Sequence, residues 1–293
     1  MKRLSFALHS SAASVLAVVA ASAQAEAVVG LTTTNALVRF DSATPINASL
    51  PINITGLVGT NEQIIGIDRR PTTGALFGLG NSGRLYTLNA DTGAATFVSL
   101  LTGASLSGTS FGIDFNPMVD RLRVTSNAGQ NLRINVDTGA VTVDAALNGA
   151  STSISASAYT PNVTGASAVT LLGISASSDN LFFQNPPNAG TMVLVGALGV
   201  DTSEVAGFDI SGITGIAFAS LTRAATGKSS FYTISLNTGS ATLIGAFGYG
   251  GNTAIAAPLL DIAVTAVPEP GSYALFAAGL LALGFVVRRR RQT

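Results

Sequence analysis

Apolar and polar positions alternate over residues 85–89, pause at Asp91-Thr92-Gly93, and resume over residues 95–100. Alternation with a period of two predicts half-buried strands, and a glycine-ended turn between them predicts a tight hairpin. The same grammar runs through the chain: short β-rich runs separated by Gly, Asn and Asp, with no sustained helical period. The pattern predicts an all-β domain.

The pattern also repeats. At a gapless offset of 46 residues, Gly66-Ile67-Asp68 matches Gly112-Ile113-Asp114, Pro71 matches Pro117, Leu76 matches Leu122, and Asp91-Thr92-Gly93-Ala94 matches Asp137-Thr138-Gly139-Ala140. A later copy reads Gly207-Phe208-Asp209, then residues 231–234 and Asn237-Thr238-Gly239. Between them lies a worn copy, with Ala158-Tyr159-Thr160 at the expected place of Gly-Ile-Asp and Asn188-Ala189-Gly190 at its hairpin. Strand-rich units recurring about every 40–50 residues are the signature of four-stranded propeller blades. Taking Asp68, Asp114, Thr160, Asp209 and Asp261 as anchors gives five units. Residues 28–33 and 36–41 read as later strands of a blade lacking its first, and residues 259–264 as a first strand lacking its blade. Joining them predicts a five-bladed β-propeller closed by one mixed blade, which removes the sheet edge. A six-bladed ring or an open sandwich is the alternative.

Outside this body, both ends read as processing signals. Lys2 and Arg3 precede an apolar stretch over residues 4–20 and two overlapping small-x-small sites, predicting a signal peptide over residues 1–25 with Glu26 as the new N-terminus. The propeller domain then spans residues 26–266, and residues 267–293 form a tail. Here Pro268-Glu269-Pro270 precedes an uncharged run over residues 272–287 and Arg288, Arg289, Arg290 and Arg291. The run is short for a spanning helix, but terminal arginines extend it by snorkelling and keep the C-terminus cytoplasmic. This ordered triplet closely resembles the PEP-CTERM sorting signal of Gram-negative bacteria. The resemblance implies an exosortase as partner, the inner membrane as a station before processing, and a host that surrounds itself with an exopolysaccharide matrix. A plain C-terminal membrane anchor is the alternative.

Removing Lys2, Arg3, Glu269 and the four tail arginines leaves nine basic and 14 acidic residues, a net charge of −5. Such a domain is not a nucleic-acid binder by electrostatics. The sole histidine is His9, and the chain has no cysteine and no tryptophan. Disulfides, histidine-dependent nucleophiles and His or Cys zinc sites are thereby excluded from the domain. Catalysis would fall to carboxylates, arginine, tyrosine or hydroxyls, and any metal would be a hard ion such as calcium.

Two glycine-rich stretches have local explanations. Gly78-Leu79-Gly80-Asn81-Ser82-Gly83 fits a dinucleotide fingerprint only if a helix follows, and a strand follows. Residues 225–229 echo a phosphate loop without its first glycine and read as a turn.

The constellation that carries chemistry is Asp68, Asp114, Asp209 and Asp261, with Thr160 as the fifth member. On equivalent innermost strands these acids would ring one channel mouth, where they would need a cation or arginines to offset their repulsion. Arg69, Arg121, Arg123 and Arg133 are the candidate counter-charges. The alternative is that each Asp only accepts backbone N–H bonds at a strand end. Hairpin residues Asp91, Asp137 and Asn237 have a sufficient account in turn chemistry.

Residues 66–96, 112–142 and 180–201, including Gln184-Asn185-Pro186-Pro187-Asn188, resemble the bacterial domain of unknown function family 4394, over roughly residues 28–265. That resemblance implies no activity. The expectation is an exported, non-enzymatic propeller working as a binding, adhesion or scaffold module at the cell surface or in the matrix. A carboxylate-dependent carbohydrate-active enzyme is the alternative.

Overall fold

The structure, a computed structural model, describes residues 25–265. Residues 1–24 of the predicted signal peptide, the apolar run and the Pro268–Arg291 tail lie outside the described residues. Within them the chain forms a five-bladed β-propeller.

Blade 1 takes β1 (Ala27–Thr32), β2 (Ala36–Asp41) and β3 (Ile52–Asn53) from the N-terminal part of the domain. Blade 2 is β4 (Ile64–Arg69), β5 (Leu76–Gly80), β6 (Arg84–Leu88) and β7 (Ala95–Leu100). Blade 3 is β8 (Phe111–Asn116), β9 (Arg121–Ser126), β10 (Asn131–Ile134) and β11 (Val141–Val143). Blade 4 adds a short parallel edge strand, β12 (Asn148–Gly149), outside β13 (Ala156–Thr160), β14 (Thr170–Ser175), β15 (Asn180–Gln184) and β16 (Thr191–Ala197). Blade 5 is β17 (Thr202–Ile210), β18 (Ala217–Arg223), β19 (Ser229–Ile234) and β20 (Ala241–Ala246). Finally β21 (Leu259–Thr265) pairs antiparallel with β1 as the innermost strand of blade 1, so the ring closes through both ends of the domain as the sequence predicts.

Blade faces pack apolar side chains against their neighbours. Phe77, Leu79 and Leu85 of blade 2 meet Ile113, Phe115 and Val124 of blade 3 in one cluster, and comparable clusters join blades 1 and 2, 4 and 5, and 5 and 1. The outer strands are half-wet, with Phe97 and Val143 exposed. Burial therefore rises from rim to axis, where β4, β8, β13, β17 and β21 touch around the ring. The repeated glycine two residues before Asp68, Asp114 and Asp209 explains how they come so close. A Cβ on Gly207 would stand 2.7 Å from the Asp261 Cα, and one on Gly112 would stand 2.6 Å from the Ser157 backbone nitrogen. Side chains do not fit there, so the inner strands pack backbone to backbone.

The hairpin glycine has the second repeated role. Gly139 holds φ 73°, and a Cβ there would collide with the Leu100 carbonyl. Thr102 N–H donates to Gly139 O at 2.9 Å, and Val141 N–H donates to Thr102 O at 3.1 Å, tying the blade 3 hairpin to the edge of blade 2. Gly93 makes the same dock on residue 55 of blade 1. The Asp-Thr-Gly-Ala tetrapeptide is thus a blade-to-blade clasp as well as a turn. The Gly78–Gly83 stretch forms the end of β5 and a turn into β6, and the turn preceding Ser229 joins β18 to β19, so neither opens a helix.

Candidate functional site

Asp68, Asp114, Asp209 and Asp261 all lie on innermost strands and all are buried, between 1% and 5% exposed. An oxygen from each of Asp68, Asp114 and Asp209 lies within 4.8 Å of the other two. Asp261 stands outside this trio but close enough for its charge to act on Asp68 and Asp114. Three of the four predicted carboxylates therefore converge on the axis, with the fourth beside them.

The fifth position requires a correction. Asp68 pairs with Phe77, Asp114 with Arg123 and Asp209 with Phe218 across the first two strands of their blades. In blade 4 the residue in this register is Ala158, paired with Leu172, while Thr160 pairs with Thr170 two positions further along. The worn repeat hides a two-residue slip. In this register blade 4 carries a methyl group where blades 2, 3 and 5 carry a carboxylate.

Each acid reaches the next blade. Asp261 Oδ2 accepts the Ile67 N–H at 2.8 Å, Asp68 Oδ2 the Phe115 N–H at 2.6 Å, Asp114 Oδ1 the Tyr159 N–H at 3.1 Å, and Asp209 Oδ2 the Val264 N–H at 2.6 Å. The second oxygen of Asp68, Asp209 and Asp261 accepts the N–H of its own following residue. Asp114 departs from this scheme, because its Oδ2 is buried with no hydrogen-bond partner.

Burial pushes all four carboxyls upward. Asp68 is raised well above the usual range by desolvation and then by the charge of Asp209, against the N–H bonds it accepts. Desolvation and the charges of Asp68 and Asp209 do the same to Asp114. Desolvation brings Asp209 to about 7, and it dominates at Asp261 too. The counter-charge that acts on the ring is Arg69, whose own pKa burial lowers and whose cation Asp68 and Asp209 favour. Its Nε is buried without a partner, and its Nη1 donates to Gly74 O at 3.0 Å. Arg69 also lines a cleft of about 300 Å³ with Pro71, Asn162 and Ile213, formed by the loops that leave the inner strands.

None of the four candidate arginines forms an ion pair with an anchor acid among the described residues. Arg121 Nη1 donates to the Asp120 carbonyl at 2.9 Å, and Arg123 and Arg133 both pair with Asp144. The hairpin acids also do more than shape turns: Asn89 and Asn135 accept the turn N–H bonds, while Asp91 pairs with Arg39 and Asp137 with Arg70 of the preceding blades. Asp144 was not among the sequence candidates. The available signal was Arg123 itself, a charge at the repeat position occupied by Phe77.

Chemically, this axis can brace strands, share protons or hold one hard cation. Three oxygens within 4.8 Å of one another share a centre within about 2.8 Å of each, so a small inward movement brings all three to the calcium–oxygen distance of about 2.3–2.6 Å. It does not offer an open carboxylate pair, which glycoside cleavage places either side of a bound substrate.

Fold and axis define a small propeller sealed at its centre by acids. The chain belongs to the family described as Domain of unknown function (DUF4394), whose profile matches residues 36–257. The PEP-CTERM protein-sorting motif matches residues 266–291, which implies export to the cell envelope of a Gram-negative bacterium through an exosortase system. Among solved structures, a structural genomics protein of unknown function from Bacteroides thetaiotaomicron VPI-5482 aligns at 12% identity and TM-score 0.46, covering 78% of this chain and 64% of that one. Hydrazine synthase from Kuenenia stuttgartiensis aligns at 12% identity and TM-score 0.41, covering 64% of this chain and 51% of that one. The chain thus spans less than two thirds of either. The comparison with curated proteins finds no match.

Proposed function

We propose that the protein is a non-enzymatic propeller that works at the cell surface or in the extracellular matrix as a binding or scaffold module, with a surface glycan or exopolysaccharide as its partner. The observation that carries this reading is the sealed axis: the acids a hydrolase would need are buried and engaged in blade-to-blade hydrogen bonds. The sorting motif supports the setting, since exosortase processing would free the domain from the inner membrane. The test is a glycan-array and hydrolase screen of the exported protein. Glycan binding without turnover is expected; turnover that Asp209→Asn abolishes in a folded protein would establish the carbohydrate-active enzyme instead.

A second reading is favoured by the partnerless, buried Asp114 Oδ2, on one of the three carboxylates that cluster at the axis. In that reading Asp68, Asp114 and Asp209 ligate one calcium ion, Asp261 contributes charge, and the ion staples the blades. The two readings are compatible, because a stapling cation serves a scaffold.

A further inference from the structure

Apolar clusters join four of the five blade interfaces; among the described residues none spans blades 3 and 4. The repeat register shows what stands there instead. Opposite the axial position, the second strand carries Phe77 in blade 2, Leu172 in blade 4 and Phe218 in blade 5, but Arg123 in blade 3. Opposite these on the third strand are Thr87, Phe183 and Thr233, but Arg133 in blade 3. Two guanidinium groups therefore face each other across one pair of strands, an arrangement that destabilises a sheet. Arg123 is 1% exposed, and burying a cation is costly unless it is fully paired. Fold stability alone would favour the apolar residues of the other blades.

A single acid offsets the two charges. Asp144 Oδ2 accepts from Arg123 Nη1 at 2.6 Å and Arg133 Nε at 2.7 Å, and its Oδ1 accepts from Arg133 Nη2 at 2.8 Å. Arg123 is held further by the Tyr159 hydroxyl at 3.1 Å, Asn131 Oδ1 at 2.8 Å and Asn188 Oδ1 at 2.8 Å. The result is a rigid group of net charge +1 under a cleft of about 430 Å³, within the roughly 300–1,000 Å³ of small-molecule sites. Met118, Val119, Val169, Pro186 and Pro187 supply aliphatic walls, and no Asp or Glu lines the cleft.

Its unused side-chain hydrogen-bonding groups are donors, apart from the Ser167 hydroxyl, which can both donate and accept. Asn116 Oδ1 accepts the Met118 and Val119 N–H groups and Asn188 Oδ1 accepts from Arg123, which fixes both amides and leaves each Nδ2 free. Arg133 Nη1 has no hydrogen-bond partner among the described residues, and Arg133 is 31% exposed. Several separated donors around a net positive floor require a ligand with several acceptor oxygens and a negative charge, while the aliphatic walls suit the C–H face of a ring. We infer that this cleft binds a sugar acid, a pyranose ring bearing a carboxylate. The inference rests on the binding-module reading above and concerns a site separate from the axial acids.

The test is calorimetric titration of the exported protein with galacturonate and its short oligomers, with galactose oligomers and inorganic sulfate as controls. Saturable binding of the acid sugars is expected, with neutral sugars weaker by roughly tenfold or more, the worth of one charge-assisted hydrogen bond. Arg133→Gln should weaken binding by a similar factor, since Asp144 keeps Arg123 as partner. Ala168→Phe, at the exposed lip of the cleft, should block binding without touching any charge. Thermal melting of both variants close to wild type establishes that they fold. Acid-sugar binding that survives both substitutions overturns the site, and equal affinity for sulfate overturns the sugar. If acid sugars fail while neutral glycans bind, this inference falls alone; if no glycan binds, it falls together with the binding-module reading.

Discussion

Asp68 Oδ2 accepts the backbone N–H of Phe115 at 2.6 Å, so a side chain on the inner strand of one blade completes the hydrogen bonding of the next. Its other oxygen accepts the Arg69 N–H at 2.6 Å. Asp68→Ala would leave two donors without this acceptor at the axis, and a buried donor without a partner costs about 1–3 kcal/mol. Urea denaturation should show a loss of about 2 kcal/mol or more. Asp68→Asn should lose less, because its amide oxygen can still accept from Phe115. An alanine variant as stable as wild type would show that the acids do not brace the ring.

The raised carboxyl pKa values fix how stability depends on pH. Around pH 4 an unfolded aspartate loses its proton, whereas folded Asp209 keeps it to about 7 and Asp68, Asp114 and Asp261 are also raised. The folded state therefore binds more protons in this window. Stability is fullest below pH 4 as far as these groups decide it, falls by up to about 1.4 kcal/mol per pH unit for each group, and levels once the folded carboxyl ionises. Calcium acts in the opposite sense, since it replaces protons. At pH 8 it should raise the melting temperature, by about 2.7 kcal/mol of stability at a hundredfold excess over Kd, and at pH 5 it should do little. Asp114→Asn should blunt the response by removing the partnerless oxygen while leaving one to accept from Tyr159. Identical melting at pH 8 in calcium and in chelator would remove the cation reading and leave the acids as latches.

The ring itself was legible because its grammar is local. Alternation marks strands, a glycine-ended turn marks hairpins, and an offset of 46 residues carries both from blade 2 to blade 3 with looser copies beyond. Blade 4 was legible as a unit but not in register: without an Asp, only pairing across β13 and β14 reveals that Ala158 rather than Thr160 stands in the register of the acids. Strand periodicity also placed the acids without giving their direction or their partners, which depend on how one blade leans on the next. Arg123 and Arg133 were visible as charges, yet Asp144, which continues the β11 ladder by donating its N–H to Asn131 O at 3.0 Å, has no acidic counterpart at the matching position of blade 2, Val98. The two roles of the repeated glycines likewise emerge only from inter-blade distances.

Gly112 gives the sharpest test of how closely the axis is packed. Its φ is not in the left-handed region, so alanine meets no backbone penalty there, and any cost comes from space alone. A Cβ would stand 2.6 Å from the Ser157 backbone nitrogen and collide with the Ser157 hydroxyl, which is itself bonded to Thr125 Oγ1 at 2.7 Å. The hydroxyl can rotate; the backbone of β13 cannot move without disturbing the Tyr159 N–H that Asp114 holds. Overpacking of this kind costs about 1–3 kcal/mol. Gly112→Ala should therefore lower the unfolding free energy by about that amount. Because β8 and β13 both face the acids, the calcium-dependent shift at pH 8 should shrink in the same variant. Unchanged stability would mean that the inner strands have room to spread, and the acids would then be less tightly confined than their distances imply.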